Sequence, residues 1–222
     1  MARVLVLVEG QTEETFVRDV LSPHLADHNV FIRATLATNK KVKFGPTFRG
    51  GVTSYPKIKR DVQLLLMDTS ASLVTTMIDF YGLPSDFPGY GSIPAGSCHK
   101  KVAHLERAFN VDIGNSRFRP YLQTHEYEAF LFVSPEDTAR VFADQRKARN
   151  VRAVLDQFET AEDINDNPST APSKRIANIF SEYQKAVHGP LIAVRTGIQN
   201  LRNHCKHFNE WLTMLENLGT QI

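Results

Sequence analysis

The chain has 222 residues, 26 Lys and Arg against 24 Asp and Glu, and a formal net charge of +2. Hydrophobic residues at 42% and charged residues at 23% are ordinary globular values and exclude disordered, collagen-like and coiled-coil classes. A chain this long buries roughly 70% of its unfolded surface. Its two cysteines, Cys98 and Cys205, are too few for a disulfide scaffold or a zinc cluster, so a reduced, cytoplasmic protein is expected.

Residues 4–8 form an apolar run that Glu9 interrupts. It is too short for a signal or membrane segment and reads as a strand buried on both faces. Glu9-Gly10-Gln11-Thr12 turns the chain, with Thr12 as expected N-cap and Glu13 and Glu14 in the first helical turn. Phe16, Val17, Val20, Leu21 and Leu25 follow at helical spacing, and residues 30–37 read as a second strand. Residues 39–60 are mostly loop-like, after which Ile58, Val62, Leu65 and Leu66 mark a helix. Residues 73–78 make a third strand ending at Asp79, and a Gly/Pro-rich loop fills 79–96. A loop of that length without periodicity is uncommon unless it is functional. Val102, Leu105 and Phe109 mark a third helix, and residues 118–123 a fourth strand. Beyond this the pattern turns helical, with a start at Ser134-Pro135-Glu136-Asp137 and helices over 151–158, 173–187 and 191–218. The expected class is α/β: a parallel sheet flanked by helices over residues 1–133, with a helical C-terminal region, 134–222, packed on it.

In an open parallel sheet, ligands bind beyond the carboxyl ends of the strands. Here those ends carry acids: Glu9 after strand one, Glu13 in the next helical turn, Asp79 at strand three, and Glu126 and Glu128 after strand four. Gathered carboxylates repel one another unless a cation compensates them. Oxygen donors with few cysteines point to Mg²⁺ or Mn²⁺. Singly, each acid has a plainer account: Glu13 as a helix-start acid, Asp79 as a turn residue, Glu126 and Glu128 as surface charges. Glu9 has less of one, because a charge closing a buried strand is unusual.

Seven cations and no acid lie between Asn39 and Arg60: Lys40, Lys41, Lys43, Arg49, Lys57, Lys59 and Arg60. Phe44, Phe48 and Tyr55 are interleaved, the profile of a backbone-tracking loop with stacking rings, although charge runs are also ordinary solvated surface. Lys174 and Arg175 open a helix, a second place for phosphate. His204 and His207 flank Cys205 but supply only two ligands at helical spacing, so a zinc site is not expected there. The phosphate-loop, dinucleotide and nucleophile-elbow signatures are missing from the sequence.

Val8-Glu9-Gly10-Gln11-Thr12-Glu13 after a hydrophobic strand resembles the first motif of Toprim domains, the metal-binding catalytic folds of topoisomerases, primases and OLD-type nucleases. Ile78-Asp79-Phe80-Tyr81-Gly82 stands where those domains carry D-x-D. More closely, the chain resembles a bacterial family of uncharacterised Toprim-like proteins. The matching segments are 9–14, 79–89, 125–132, 171–175 and 205–208. The resemblance implies catalytic roles for Glu9, Glu13 and Asp79, and metal binding by Glu9 and Asp79. Tyr81 replaces the second acid of D-x-D, and Glu126 or Glu128 is the candidate substitute. The implied activity is metal-dependent phosphodiester hydrolysis on nucleic acid, in phage defence or DNA processing, with His125 as a further candidate at the leaving oxygen. Such nucleases often work with an ATPase, so a separate ATPase partner is implied. The alternative is a non-catalytic Toprim-like module that binds nucleic acid or regulates such a partner.

Overall fold

A computed structural model of the protein describes residues 1–38, 54–165 and 169–220. Strands β1 (Ala2–Val8), β2 (Val30–Leu36), β3 (Leu73–Asp79), β4 (Phe118–Arg119) and β5 (Leu122–Gln123) form a sheet of order β2-β1-β3-β4, with β5 also on β3. All its pairings are parallel. The central strands carry apolar residues on both faces because both faces are covered. Val4, Val6 and Val8 enter one core, whereas Leu5 and Leu7 enter the other. At the edge, β2 alternates buried Val30 and Ile32 with exposed Phe31 and Arg33.

The helices are α1 (Gln11–Phe16), α2 (Ser22–Asp27), α3 (Tyr55–Leu66), α4 (Cys98–Ile113), α5 (Pro135–Val141), α6 (Ala148–Leu155), α7 (Pro172–Ile179), α8 (Lys185–Thr196), α9 (Ile198–His204) and α10 (Lys206–Asn217). A π-helical turn, Val17–Leu21, joins α1 to α2. One sheet face packs on α3 and α4 through Ile58, Val62, Val102, Leu105 and Phe109. The other packs on Phe16, Leu21 and Leu25 together with Ile192, Phe208, Trp211, Leu212 and Leu215. The C-terminal helices therefore cover the sheet itself. Trp211 Nε1 donates to Thr75 Oγ1 of β3 at 3.0 Å, and the ring of Tyr121 stacks on Trp211 at 4.4 Å. The fully buried Glu162 accepts from the backbone N–H groups of His207 and Phe208 at 2.9 and 3.0 Å. It thus satisfies free donors at the start of α10.

The α/β class with a parallel sheet flanked by helices is the expected one. Several local expectations are corrected. Helix α1 starts at Gln11 with Gly10 at its N-cap, so Thr12 lies inside the helix, buried, and caps nothing. Pro120, which has no N–H for a ladder, separates β4 from β5 in the stretch read as one strand. The helix read over 173–187 breaks after Ile179, where Phe180 turns extended and stacks its ring on Phe142 at 4.0 Å. The helix read over 191–218 breaks at Gly197, whose φ of 75° suits glycine, and again at Cys205. The last six residues of the basic segment, 55–60, are helical in α3. Among the described residues, no helix is long and apolar enough to cross a membrane.

Candidate functional site

Because β1 has β2 on one side and β3 on the other, the chain reverses its winding between β1 and β3. A crevice at the carboxyl ends of strands forms at such a point. Val8 faces Met77 across the two strands, so the residues just beyond them, Glu9 and Asp79, become neighbours. The Asp79 N–H donates to Glu9 Oε2 at 3.2 Å. Glu13 enters from the first turn of α1, where its side chain is 3% exposed. A Cβ at Gly10 would stand 3.2 Å from Glu13 Oε2, so a bare backbone at residue 10 lets that carboxylate lie close. Glu128 enters from the 3-10 turn Tyr127–Phe132, fully buried. The Tyr127 N–H in that turn donates to Asp79 Oδ1 at 3.0 Å, tying turn to strand.

Three of these carboxylates, Glu13, Asp79 and Glu128, surround one cation, whose charge also acts on Glu9. Lys185, the first residue of α8, places its Nζ 3.1 Å from Glu128 Oε2, 3.5 Å from Asp79 Oδ2 and 3.7 Å from Glu13 Oε1. Helix α8 reaches the site because Gly189 lets it approach α1 closely: a Cβ there would meet Thr12 Cγ2 at 3.1 Å and Tyr127 Cε1 at 3.2 Å. Tyr183 donates its hydroxyl to Glu128 Oε1 at 3.1 Å.

Electrostatics follow from crowding acids out of water. Burial pushes the Glu9 carboxyl up to about 7, repulsion from Glu13 adds to it, and Lys185 and the Asp79 N–H pull the other way. Burial also raises Asp79 and Glu128 above the usual carboxylate range. For Lys185, burial favours the neutral amine, but Asp79, Glu128, Glu13 and Glu9 outweigh it and hold the ammonium charged. Burial and the Glu128 charge keep the Tyr183 hydroxyl protonated, hence a donor.

The donor set is all carboxylate, which suits a hard divalent cation. Glu13 Oε1 and Glu128 Oε2 are buried without a well-aligned hydrogen bond, and both face Lys185 Nζ. The Asp79 and Glu128 oxygens on that ammonium are separated by no more than the sum of two ion-pair lengths. As they stand, they are spread around an ammonium. Among the described residues, the three ligand atoms that all lie within 4.8 Å of one another belong to His24, His28 and Glu216 instead.

The remaining sequence candidates lie elsewhere. Glu126 accepts from the Ser173 N–H at 2.8 Å at the start of α7, which leaves Glu128 as the acid in the cluster. Tyr81 is 41% exposed, so the position of the second D-x-D acid faces outward. His125 adopts a φ of 58° and places Nδ1 3.8 Å from Cys98 Sγ, lining a cavity of about 160 Å³ with Lys101 and Asp163. Lys59 pairs with Asp112 at 2.9 Å, and Lys57 and Arg60 sit beside it on α3. Lys40, Lys41, Lys43 and Arg49 lie outside the described residues. Lys174 is exposed on α7, while Arg175 donates to Thr170 O at 2.7 Å and covers the Phe158 ring. A larger cavity of about 390 Å³, lined by Arg202, Lys206 and Asn209 among others, shares no residue with the acids.

Sequence reasoning missed Lys185 and Tyr183, both in a stretch read as the body of one long helix. The available signal was indirect: four converging acids require a cation, and Gly189-Pro190 marks a helix that packs unusually close.

A family described as "Domain of unknown function (DUF4276)" matches residues 8–216. No curated protein matches the chain. Among solved structures, the C-terminal region of the Burkholderia pseudomallei OLD protein is similar at 12% identity and a TM-score of 0.43, covering 97% of this chain and 99% of that one. The C-terminal region of the Xanthomonas campestris pv. campestris OLD protein is similar at 12% identity and a TM-score of 0.40, covering 96% and 98%.

Proposed function

The chain belongs to the DUF4276 family, and on that premise we propose that it is a Toprim-like, metal-dependent nuclease hydrolysing phosphodiester bonds in nucleic acid. The observation that carries this reading is the gathering of Glu9, Glu13, Asp79 and Glu128 at the winding reversal, with Glu9 poised near neutrality. Asp79 and Glu128, with Glu9 and Glu13 beside them, would hold Mg²⁺ or Mn²⁺. When bound, such an ion supplies Lewis-acid polarisation of a phosphoryl oxygen. Glu9, with a pKa of about 7, can hold or release a proton at working pH while its Oε2 stays anchored on the Asp79 N–H. Lys185 keeps 42% of its side chain exposed, so its ammonium can swing from the acids to a phosphate oxygen. Tyr183 fixes the orientation of Glu128.

Lys40, Lys41, Lys43 and Arg49, with Lys57, Lys59 and Arg60 on α3 and Lys174 and Arg175 on α7, would grip the backbone of the nucleic acid. The Toprim resemblance supports a separate ATPase partner and a place in phage defence or DNA processing. Both cysteines are buried thiols, which suits the reducing cytoplasm.

The test is cleavage of single- and double-stranded DNA and RNA with Mg²⁺ or Mn²⁺, with and without a candidate ATPase. Glu9→Ala and Asp79→Ala should each abolish it. Cleavage that survives both substitutions refutes the site.

Lys185 and Tyr81 also favour a second reading, a non-catalytic nucleic-acid-binding or ATPase-regulating module in which the lysine permanently takes the cation's place. Nucleic-acid binding unaffected by Mn²⁺, with no cleavage under any condition, is the outcome expected of that module.

A further inference from the structure

Two histidines and a glutamate gather away from the strand-end acids. His24 lies in α2 and His28 caps it, one helical turn apart, so their rings share a face. The ring centroids are 5.0 Å apart. Both rings converge on Glu216 of α10, with His24 Nε2 at 2.6 Å and His28 Nε2 at 3.8 Å from Oε1. The three donor atoms all lie within 4.8 Å of one another.

Arg202 grips both oxygens of the same carboxylate. Arg202 donates Nη1 to Glu216 Oε1 at 2.8 Å and Nη2 to Oε2 at 3.2 Å. The guanidinium is itself fixed by Asn209 Oδ1 at 2.9 Å and Thr213 Oγ1 at 3.1 Å. Burial would raise the Glu216 carboxyl, but its bonds from His24 and Arg202 prevail and keep it below the usual range, hence ionised. Gly219 completes the junction: a Cβ there would collide with the His28 carbonyl oxygen, so only a bare backbone lets the end of α10 sit against the end of α2.

We propose that His24, His28 and Glu216 form a binding site for a divalent transition metal of the zinc class. Two imidazole nitrogens and one carboxylate oxygen are a zinc-type donor set, with a further position left for water. Zinc ligands stand ~2.0–2.2 Å from the ion and so roughly 3.3 Å from one another in a tetrahedral site. Binding therefore needs His24 Nε2 to open from 2.6 Å and His28 Nε2 to close from 3.8 Å on Glu216 Oε1, with both imidazoles neutral at the ligating nitrogen. Exposure falls from His28 (40%) through His24 (20%) to Glu216 (10%), which leaves an entry path on the His28 side. Arg202 opposes the incoming charge and already donates to the ligand oxygen Oε1, so affinity is moderate, while its second bond, to Oε2, fixes the carboxylate's orientation. The ion would join the first helical run to the last helix, which are 192 residues apart in sequence. Its role is to fasten the fold, and the site is independent of the strand-end acids.

The test uses the full chain without a histidine tag. In excess Mg²⁺, which keeps the strand-end acids occupied, Zn²⁺ titration followed by calorimetry should give one equivalent bound, and Co²⁺ should give the visible absorption of a low-coordinate site. His28→Gln, at the most exposed ligand, and His24→Gln should each weaken Zn²⁺ at least tenfold, while Asp79→Asn should leave it unchanged. Zn²⁺ at about 100 times its dissociation constant should raise the melting temperature by roughly 5 °C in the wild type and not in His28→Gln. The proposal is overturned if the wild type takes up no Zn²⁺, if His28→Gln binds as tightly as the wild type, or if Asp79→Asn is the substitution that removes binding.

Discussion

Glu9→Gln should make the protein more stable, and only above acidic pH. The Glu9 carboxyl titrates near 7 in the folded chain and near 4.5 when exposed, because folding buries it beside Glu13. The folded state therefore binds the proton more tightly, and stability falls as pH rises from about 4.5 to about 7, then levels off. A shift of that size corresponds to about 3 kcal/mol, at 1.36 kcal/mol per pKa unit. Glutamine is uncharged, nearly isosteric, and keeps an oxygen to accept the Asp79 N–H. In a domain of this size 1 kcal/mol moves the melting temperature by roughly 2–4 °C. Glu9→Gln should therefore melt about 6 °C or more above the wild type at pH 8 and close to it at pH 5, both without divalent ions. Mg²⁺ should narrow the difference by stabilising the wild type selectively. Circular dichroism melts in paired buffers measure this. A variant that melts with or below the wild type at pH 8 would refute the reasoning, since burial would then not be straining that carboxylate.

Lys185→Met removes the cation from four acids, and partial exposure of the lysine discounts the cost to about 2 kcal/mol at pH 8, with less at pH 5 where the acids take up protons. Urea denaturation at the two pH values reads this, and equal stability at pH 8 would contradict the charge arrangement. Gly189→Ala gains helix propensity of about 1 kcal/mol but forces a Cβ against Thr12 and Tyr127, an overpacking of roughly 1–3 kcal/mol. The expected net is a modest loss in melting temperature together with weaker Mn²⁺ binding as α8 is displaced. Replacing Lys40, Lys41 and Lys43 by Gln should weaken nucleic-acid binding and lower the slope of log K against log salt by about 0.9 for each duplex phosphate that is no longer neutralised. Lys59→Gln should do less, because Asp112 already holds that ammonium. An unchanged slope in the triple variant would exclude the basic segment from binding.

Much of this was legible because burial writes itself into local pattern. The uninterrupted apolar stretches of β1 and β3 declare strands covered on both faces, and the acids just beyond them declare the strand ends. Where tertiary packing overrules the local pattern, the sequence is silent. Phe180 leaves a helical stretch because its ring finds Phe142, and Thr12 gives up a capping role because α1 already starts at Gln11, which buries Thr12 inside the helix. Glu126 and Glu128 look interchangeable in sequence, yet the turn between them sends one to the start of α7 and the other into the acid cluster. Lys185 was hidden for a deeper reason. Its role is defined by four residues at least 57 positions upstream, and no local periodicity encodes such a meeting.

That distance has a consequence for the order in which the protein comes into being. Every acid of the cluster has been synthesised by residue 128, but the ammonium that balances them is 57 residues further on. A nascent chain at that stage holds four mutually repelling carboxylates and one sheet face covered only in part, by Phe16, Leu21 and Leu25, with Trp211 and its neighbours still to come. The crevice can therefore be closed by Lys185 only once α8 has been made and docked. A ribosome-bound fragment, however well its first strands pair, does not yet carry an assembled site.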